Sequence, residues 1–196
     1  MSLERVRCFV AIELPEDLLA SLEDVQRALR GGALDPVKCV APSQIHVTLK
    51  FLGHVDASML TAIEDRLAEV GRATRPFDLS IAHLGAFPNP RRPRVVWVGI
   101  EQGGENLQGL QGAVEEALVS LDFGREKRPF SSHLTLGRVR ETALPSQVQE
   151  LAQRLSAISV PMLGSTRITS ITFMRSQLTP SGPIYSHIAV LPLAGR

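Results

Sequence analysis

The sequence predicts an α+β fold arranged as two pseudo-symmetric lobes of mainly antiparallel sheet, with helices packed outside and a central cleft. Strand-like runs come in groups separated by single amphipathic helices, which is not the alternation of a doubly wound sheet. One short pattern, an apolar-centred His-x-Thr-Leu, occurs once in each half of the chain. No Pro/Ser-rich linker or low-complexity tract divides the 196 residues, so one bilobal domain over 1–196 is expected.

The elements follow in chain order. RCFVAIEL (7–14) alternates as a strand. Leu18, Leu22, Val25 and Leu29 then recur at helical spacing, with Pro15 at the start and Gly31-Gly32 as a stop. VKCVA (37–41) and IHVTLKFL (45–52) are the next strands. Met59, Ile63, Leu67 and Val70 form a second helical stripe, capped by Asp56 or Ser58. FDLSIAHLGAF (77–87) and RVVWVGIE (94–101) read as strands before a third helix on Leu107, Leu110, Val114, Leu118 and Leu121, ending near Gly124. SHLTLGRV (132–139) precedes a fourth helix on Leu144, Val148, Leu151, Leu155 and Ile158, with Pro145 in its first turn. RITSITFMRSQL (167–178) and IYSHIAVLPL (184–193) are the last two strands. The helical stripes are core-facing surface.

With 44% hydrophobic and 21% charged residues the chain is globular, not disordered. Its net charge of +1 gives no global field towards nucleic acid or anionic membrane, so any phosphate chemistry must be local. Cys8 and Cys39 match no metal or redox spacing and read as packed thiols in a reducing compartment. The apolar N-terminal run stops at Glu13, too short for a signal peptide, and no later run is long enough to cross a bilayer. A cytoplasmic monomer without membrane association is expected.

IHVTLKFLG (45–53) and SHLTLGRVR (132–140) share the His-x-Thr-Leu core, and each precedes a helix and further strands. A period this long reads as an internal duplication, one copy per half. Residues two apart in a strand share a face. His46 and Thr48 therefore project together, with Ile45, Val47, Leu49 and Phe51 opposite; His133 and Thr135 project together, away from Leu134 and Leu136. A rough twofold turns both polar faces onto one cleft holding two imidazoles and two hydroxyls. Such a set suits a phosphodiester: a neutral imidazole takes a proton, a charged one gives one to the leaving alkoxide, and the hydroxyls donate to phosphate oxygens.

A single His-x-Thr in a strand is ordinarily just a pair of satisfied polar residues; the second copy in matching surroundings favours a site. Neither motif has an adjacent Asp, Glu or Cys to complete a metal site, and Ser131 and Ser132 beside His133 lack a nucleophile elbow. No metal and no cofactor are therefore expected. His54 and His83 read as surface or packed residues, and His187 as either a cleft residue or an ordinary strand position. Tyr185 and Phe51 are candidates to stack on a base, although core packing is the favoured reading for Phe51 and Trp97. Arg91, Arg92 and Arg94, and Arg125, Lys127 and Arg128, form basic clusters read as solvated faces, with RNA-backbone contact as the alternative.

The motifs HVTL (46–49) and HLTL (133–136) resemble the signature of the 2H phosphoesterase superfamily. RCFVAIELPEDL (7–18), VAPSQIHVTLKFLGHVD (40–56), GAFPNPRRPRVVWVGIE (85–101), RPFSSHLTLGRVR (128–140) and SQLTPSGPIYSHIAVLPL (176–193) resemble, in order, the bacterial and archaeal RNA 2′,3′-cyclic phosphodiesterases, once described as 2′-5′ RNA ligases. The resemblance implies a bilobal fold and metal-independent hydrolysis of a ribose 2′,3′-cyclic phosphate, on RNA ends or small nucleotides, to a 2′-phosphomonoester. It implies His46 as proton donor, His133 as proton acceptor, and Thr48, Thr135 and Arg138 as phosphate ligands, with weak reverse 2′-5′ ligation compatible with the same site. Simple alternation puts Arg138 on the face away from His133, so reaching the cleft requires the strand to end, twist or bulge near Gly137. Phe51 stands at the equivalent place in the first motif, and Ser132 stands where the family often has proline. A non-catalytic nucleotide-binding module and a phosphodiesterase for linear 2′-5′ oligoadenylate or RNA 3′ ends are the alternatives.

Overall fold

The computed structural model describes residues 4–32, 35–180 and 182–195; Met1–Leu3 of the N-terminal stretch and Ser181 of the matched C-terminal stretch lie outside them. Among the described residues, nine strands and four α-helices run in the order β1 (Arg5–Glu13), α1 (Glu16–Leu29), β2 (Val37–Cys39), β3 (His46–Asp56), α2 (Leu60–Ala73), β4 (Phe77–Phe87), β5 (Val95–Gln102), α3 (Gly104–Val119), β6 (His133–Val139), α4 (Pro145–Ala157), β7 (Gly164–Ile168), β8 (Ser170–Thr179) and β9 (Gly182–Pro192). They form two sheets, ordered β3-β1-β8-β9 and β2-β6-β5-β4-β7. Every strand pair is antiparallel. The two-sheet α+β class is the one the grouped strands and the repeat predicted.

The helices form where the apolar stripes predicted them, and those stripes are buried: Leu18, Leu22, Val25 and Leu29 on α1, and Leu107, Leu110, Val114 and Leu118 on α3. The Asp56 side chain accepts from the Ser58 backbone N–H, closing a short 3₁₀ turn that feeds α2. Leu144 departs from its expected core place: it caps α4 from outside and stays exposed. Helices α2 and α3 pack on the first sheet, whereas α1 packs on β6 and β7 of the second, with α4 beside it. One continuous buried cluster runs through both sheets and all four helices.

The run 167–178, expected as one strand, is two. Ile168 ends β7 at the edge of the second sheet, Thr169 breaks the ladder, and Ser170 begins β8 in the first sheet. Each sheet thus draws on both halves of the chain. The lobes are interleaved along the chain, because β2 and β4 go to the second sheet and β8-β9 to the first.

Candidate active site

The two motif strands are bent by the same device. Along β3, Ala11 of β1 faces Thr48 and Val10 faces Lys50, leaving Leu49 as an extra residue. Along β6, Trp97 of β5 faces Thr135 and Val96 faces Gly137, leaving Leu136 as the extra residue. A β-bulge shifts the side-chain phase by one and re-aims whatever follows. Both strands accordingly read half-buried, buried, half-buried, buried, buried, exposed, half-buried from their histidine onward. The sixth residue of each series, Phe51 and Arg138, is rotated onto the face of the His-x-Thr pair.

Arg138 therefore reaches the cleft through a bulge, and the expectation that Phe51 lies opposite His46 in the core is overturned: Phe51 is 64% exposed. The opposite face after the first bulge goes to Lys50, whose ammonium is buried and bonds Glu115 at 2.6 Å and the Gly124 carbonyl at 2.8 Å. After the second it goes to Gly137, where a Cβ would lie 2.5 Å from Val37 Cγ1, so the close approach of β2 requires glycine.

His46, Thr48, His133, Thr135, Arg138, Tyr185 and Phe51 all line one cleft of about 1330 Å³. Each histidine is anchored two residues upstream. The His133 Nδ1–H donates to the Ser131 carbonyl at 2.7 Å, and the His46 ring hydrogen-bonds the Gln44 backbone. On His133 this leaves Nε2 for chemistry and holds the ring in one orientation. Each ring also rests on aromatic neighbours: Phe9 stacks on His46 with centroids 4.9 Å apart, while Phe87 meets His133 edge-on at 5.0 Å. Trp97 projects from this same face of the second sheet, 6.4 Å from the His133 ring, half-buried instead of in the main core. Among the described residues, neither the Thr48 nor the Thr135 hydroxyl is taken up by another protein group.

Burial pushes both imidazoles below their ordinary value of 6.5, but their charged neighbours act in opposite senses. Glu13, directly across from His46 on β1, favours its protonated form. Arg138 disfavours the protonated form of His133. The Glu13 carboxylate is held by the Thr172 hydroxyl at 2.8 Å and by His187 Nε2 at 2.9 Å. His187 thus lies on the cleft side of its strand, bonded to Glu13. Burial likewise raises the Tyr185 hydroxyl, against the charges of Arg7 and Arg138.

Other candidates fall outside. His83 is paired with Glu101 and His54 lies exposed on the far end of β3. Arg91, Arg92 and Arg94 do not line the cleft, whereas Arg125, Lys127 and Arg128 do. Cys8 is buried, its thiol pushed up to about 11, an inert packed group. Cys39 is half-buried, packed against the core cluster as expected, and also lines the cleft. Among the described residues no three His, Cys, Asp or Glu side chains converge as a metal-ligand group, and no helix is long and apolar enough to cross a membrane. Reasoning from sequence missed Phe9, Glu13 and Lys38. The first two had a usable signal, since both lie at cleft-face positions of the strand paired with the first motif.

The family described as LigT-like phosphoesterase matches the chain twice, over residues 12–97 and 98–185. An RNA 2′,3′-cyclic phosphodiesterase of Methanothermobacter thermautotrophicus is 38% identical over 189 residues, covering 96% of this chain and 100% of the relative. One of Archaeoglobus fulgidus is 38% identical over 185 residues, covering 94% and 99%. Among solved structures, Escherichia coli LigT complexed with 3′-AMP superposes with a TM-score of 0.75 at 25% identity, over 97% of this chain and 99% of that one. TT0787 of Thermus thermophilus gives 0.76 at 29% identity, over 96% and 98%. The two profile matches split the chain between its two motifs, so the duplication read from His-x-Thr is also the family's own repeat. The chain belongs to the LigT-like family of 2H phosphoesterases.

Proposed function

We propose that this protein hydrolyses ribose 2′,3′-cyclic phosphates, on RNA ends or small nucleotides, to 2′-phosphomonoesters. In this reading neutral His133 takes a proton from water through Nε2 as the water oxygen bonds to phosphorus. The P–O3′ bond breaks, and protonated His46 delivers its proton to the leaving 3′ oxygen. Thr48 and Thr135 donate to the non-bridging oxygens, and the Arg138 guanidinium holds the charge that builds on them. Phe51 and Tyr185 flank the base. The names of the relatives supply the substrate class.

The observation that carries the assignment of roles is the opposed electrostatics of two otherwise matching half-sites. A carboxylate sits across from the proposed acid, and a guanidinium sits beside the proposed base. By microscopic reversibility, a 5′-hydroxyl in the place of water forms a 2′-5′ linkage, so weak ligation is part of the same proposal.

The test is an oligonucleotide ending in a 2′,3′-cyclic phosphate, incubated with enzyme in excess EDTA, with the product phosphate located by phosphorus NMR. Conversion to a 2′-phosphate is expected. Unchanged substrate at high enzyme concentration overturns the activity, and a 3′-phosphate product overturns the assignment of the leaving oxygen.

A further inference from the structure

Lys38 on β2 stands directly opposite Arg138 on β6, and both side chains line the cleft. Two like charges at a cross-strand position repel and weaken the sheet unless an anion lies between or beside them. The segment 125–131 also lines this cleft and adds Lys127 and Arg128. No ion pair among the described residues uses Lys38, Lys127, Arg128 or Arg138. Of the neighbouring charges, Arg125 is paired with Glu116, and the Glu126 carboxylate accepts the Arg128 backbone N–H.

The start of the segment 125–131 is tied to the core beside β3 and α3. The buried Glu115 carboxylate takes the Lys50 ammonium and also accepts from the Glu126 backbone, while Lys50 bonds the Gly124 carbonyl. A chain of net charge +1 thus brings to the lining of a single cleft four cations that no ion pair among the described residues uses. The same lining carries Phe51, Ile184 and Tyr185.

We infer that Lys38 forms a second phosphate subsite that takes the phosphodiester on the 5′ side of the terminal nucleotide. This rests on the proposed function: Arg138 meets the reactive cyclic phosphate, and Lys38 sits one strand further out, a step of about 4.8 Å before side-chain reach is added. The next phosphate of an RNA strand falls there, and a nucleoside 2′,3′-cyclic phosphate has nothing to offer it. The enzyme therefore prefers an oligonucleotide end to a mononucleotide. Phosphate contacts of this kind position a strand without reading its sequence, so the preference holds across bases.

The experiment compares adenosine 2′,3′-cyclic phosphate with the dinucleotide ApA carrying a terminal 2′,3′-cyclic phosphate, in wild type, Lys38→Gln and Lys38→Arg. In wild type at low salt the dinucleotide is expected to have roughly tenfold higher kcat/KM, a gain that shrinks as salt rises. Lys38→Gln should erase most of that gain while the mononucleotide rate stays within about twofold, and Lys38→Arg should retain it. Equal rates on the two substrates in wild type, or an equal loss on both in Lys38→Gln, overturn the subsite. Should neither substrate turn over, the proposed function fails instead, and calorimetry with adenosine 2′-phosphate and its ApA counterpart decides the subsite separately. Tighter dinucleotide binding lost in Lys38→Gln supports it, and equal binding overturns it.

Discussion

The strands β3 and β6 carry the same motif, the same bulge and the same burial series, yet they end on different chemistry. The first half-site presents an aromatic ring at Phe51 and has a carboxylate, Glu13, across from its histidine. The second presents a guanidinium, Arg138, whose charge acts on its own histidine. Duplication accounts for the common geometry. The difference in proposed role is carried by substitutions one strand away or five residues along. Two identical half-sites would give two histidines with the same proton affinity, which is a poor arrangement for a reaction that needs one acid and one base at once.

Removing either imidazole breaks the comparison most severely. His46→Ala and His133→Ala should each lower kcat on a cyclic phosphate by on the order of 10³-fold, the range of a positioned acid or base. Circular dichroism and Tm should stay near wild type, since both rings are only half-buried. The two variants should differ in pH profile, with His46→Ala losing the alkaline limb and His133→Ala the acid limb. A normal rate in either contradicts the roles.

The position five residues after each histidine comes next. Arg138→Ala should cost about 10²-fold in kcat/KM, the weight of charge-assisted hydrogen bonds to phosphate. Phe51→Ala should cost about tenfold, mainly in KM and in proportion to the stacking of the base. Equal losses would mean that the half-sites are less divergent than their charges indicate.

The smallest effect concerns the neighbours of the histidines. The Glu13 carboxylate raises the proton affinity of His46, so Glu13→Gln should move the alkaline limb of kcat towards lower pH, because the proposed donor loses its proton earlier. Arg138 lowers the proton affinity of His133, so Arg138→Gln should move the acid limb towards higher pH. The two changes narrow the bell from opposite sides. A shift of both limbs in either variant would mean that the half-sites titrate as one coupled unit.

Much of this was readable before any coordinates. The amphipathic helices have a period that depends on local residues alone, and the repeated His-x-Thr pairs declare their shared face through simple alternation. What escaped sequence depends on the partner strand. Nothing within LKF or LGR says that Leu49 or Leu136 is the unpaired residue, since a bulge is defined by the register against β1 and β5. Phe51 was for that reason assigned to the core. Alternation along β1 put Glu13 on one face with Phe9, but that this face meets His46 is a property of pairing. The division of 167–178 at Thr169 left no mark either: both pieces alternate alike, and no Gly or Pro separates them.

The interleaving of the sheets also bears on the order in which the molecule is made. Strand β1 bonds β3 on one side and β8 on the other, and β9 brings Tyr185 to within 5.5 Å of the His46 ring. As synthesis proceeds from the N-terminus, the first motif is complete early but its sheet keeps an open edge on β1 until β8 emerges. Such an edge is a template for unwanted pairing. A nascent chain carrying the first histidine therefore has no finished cleft, and the cleft closes only with the last hairpin.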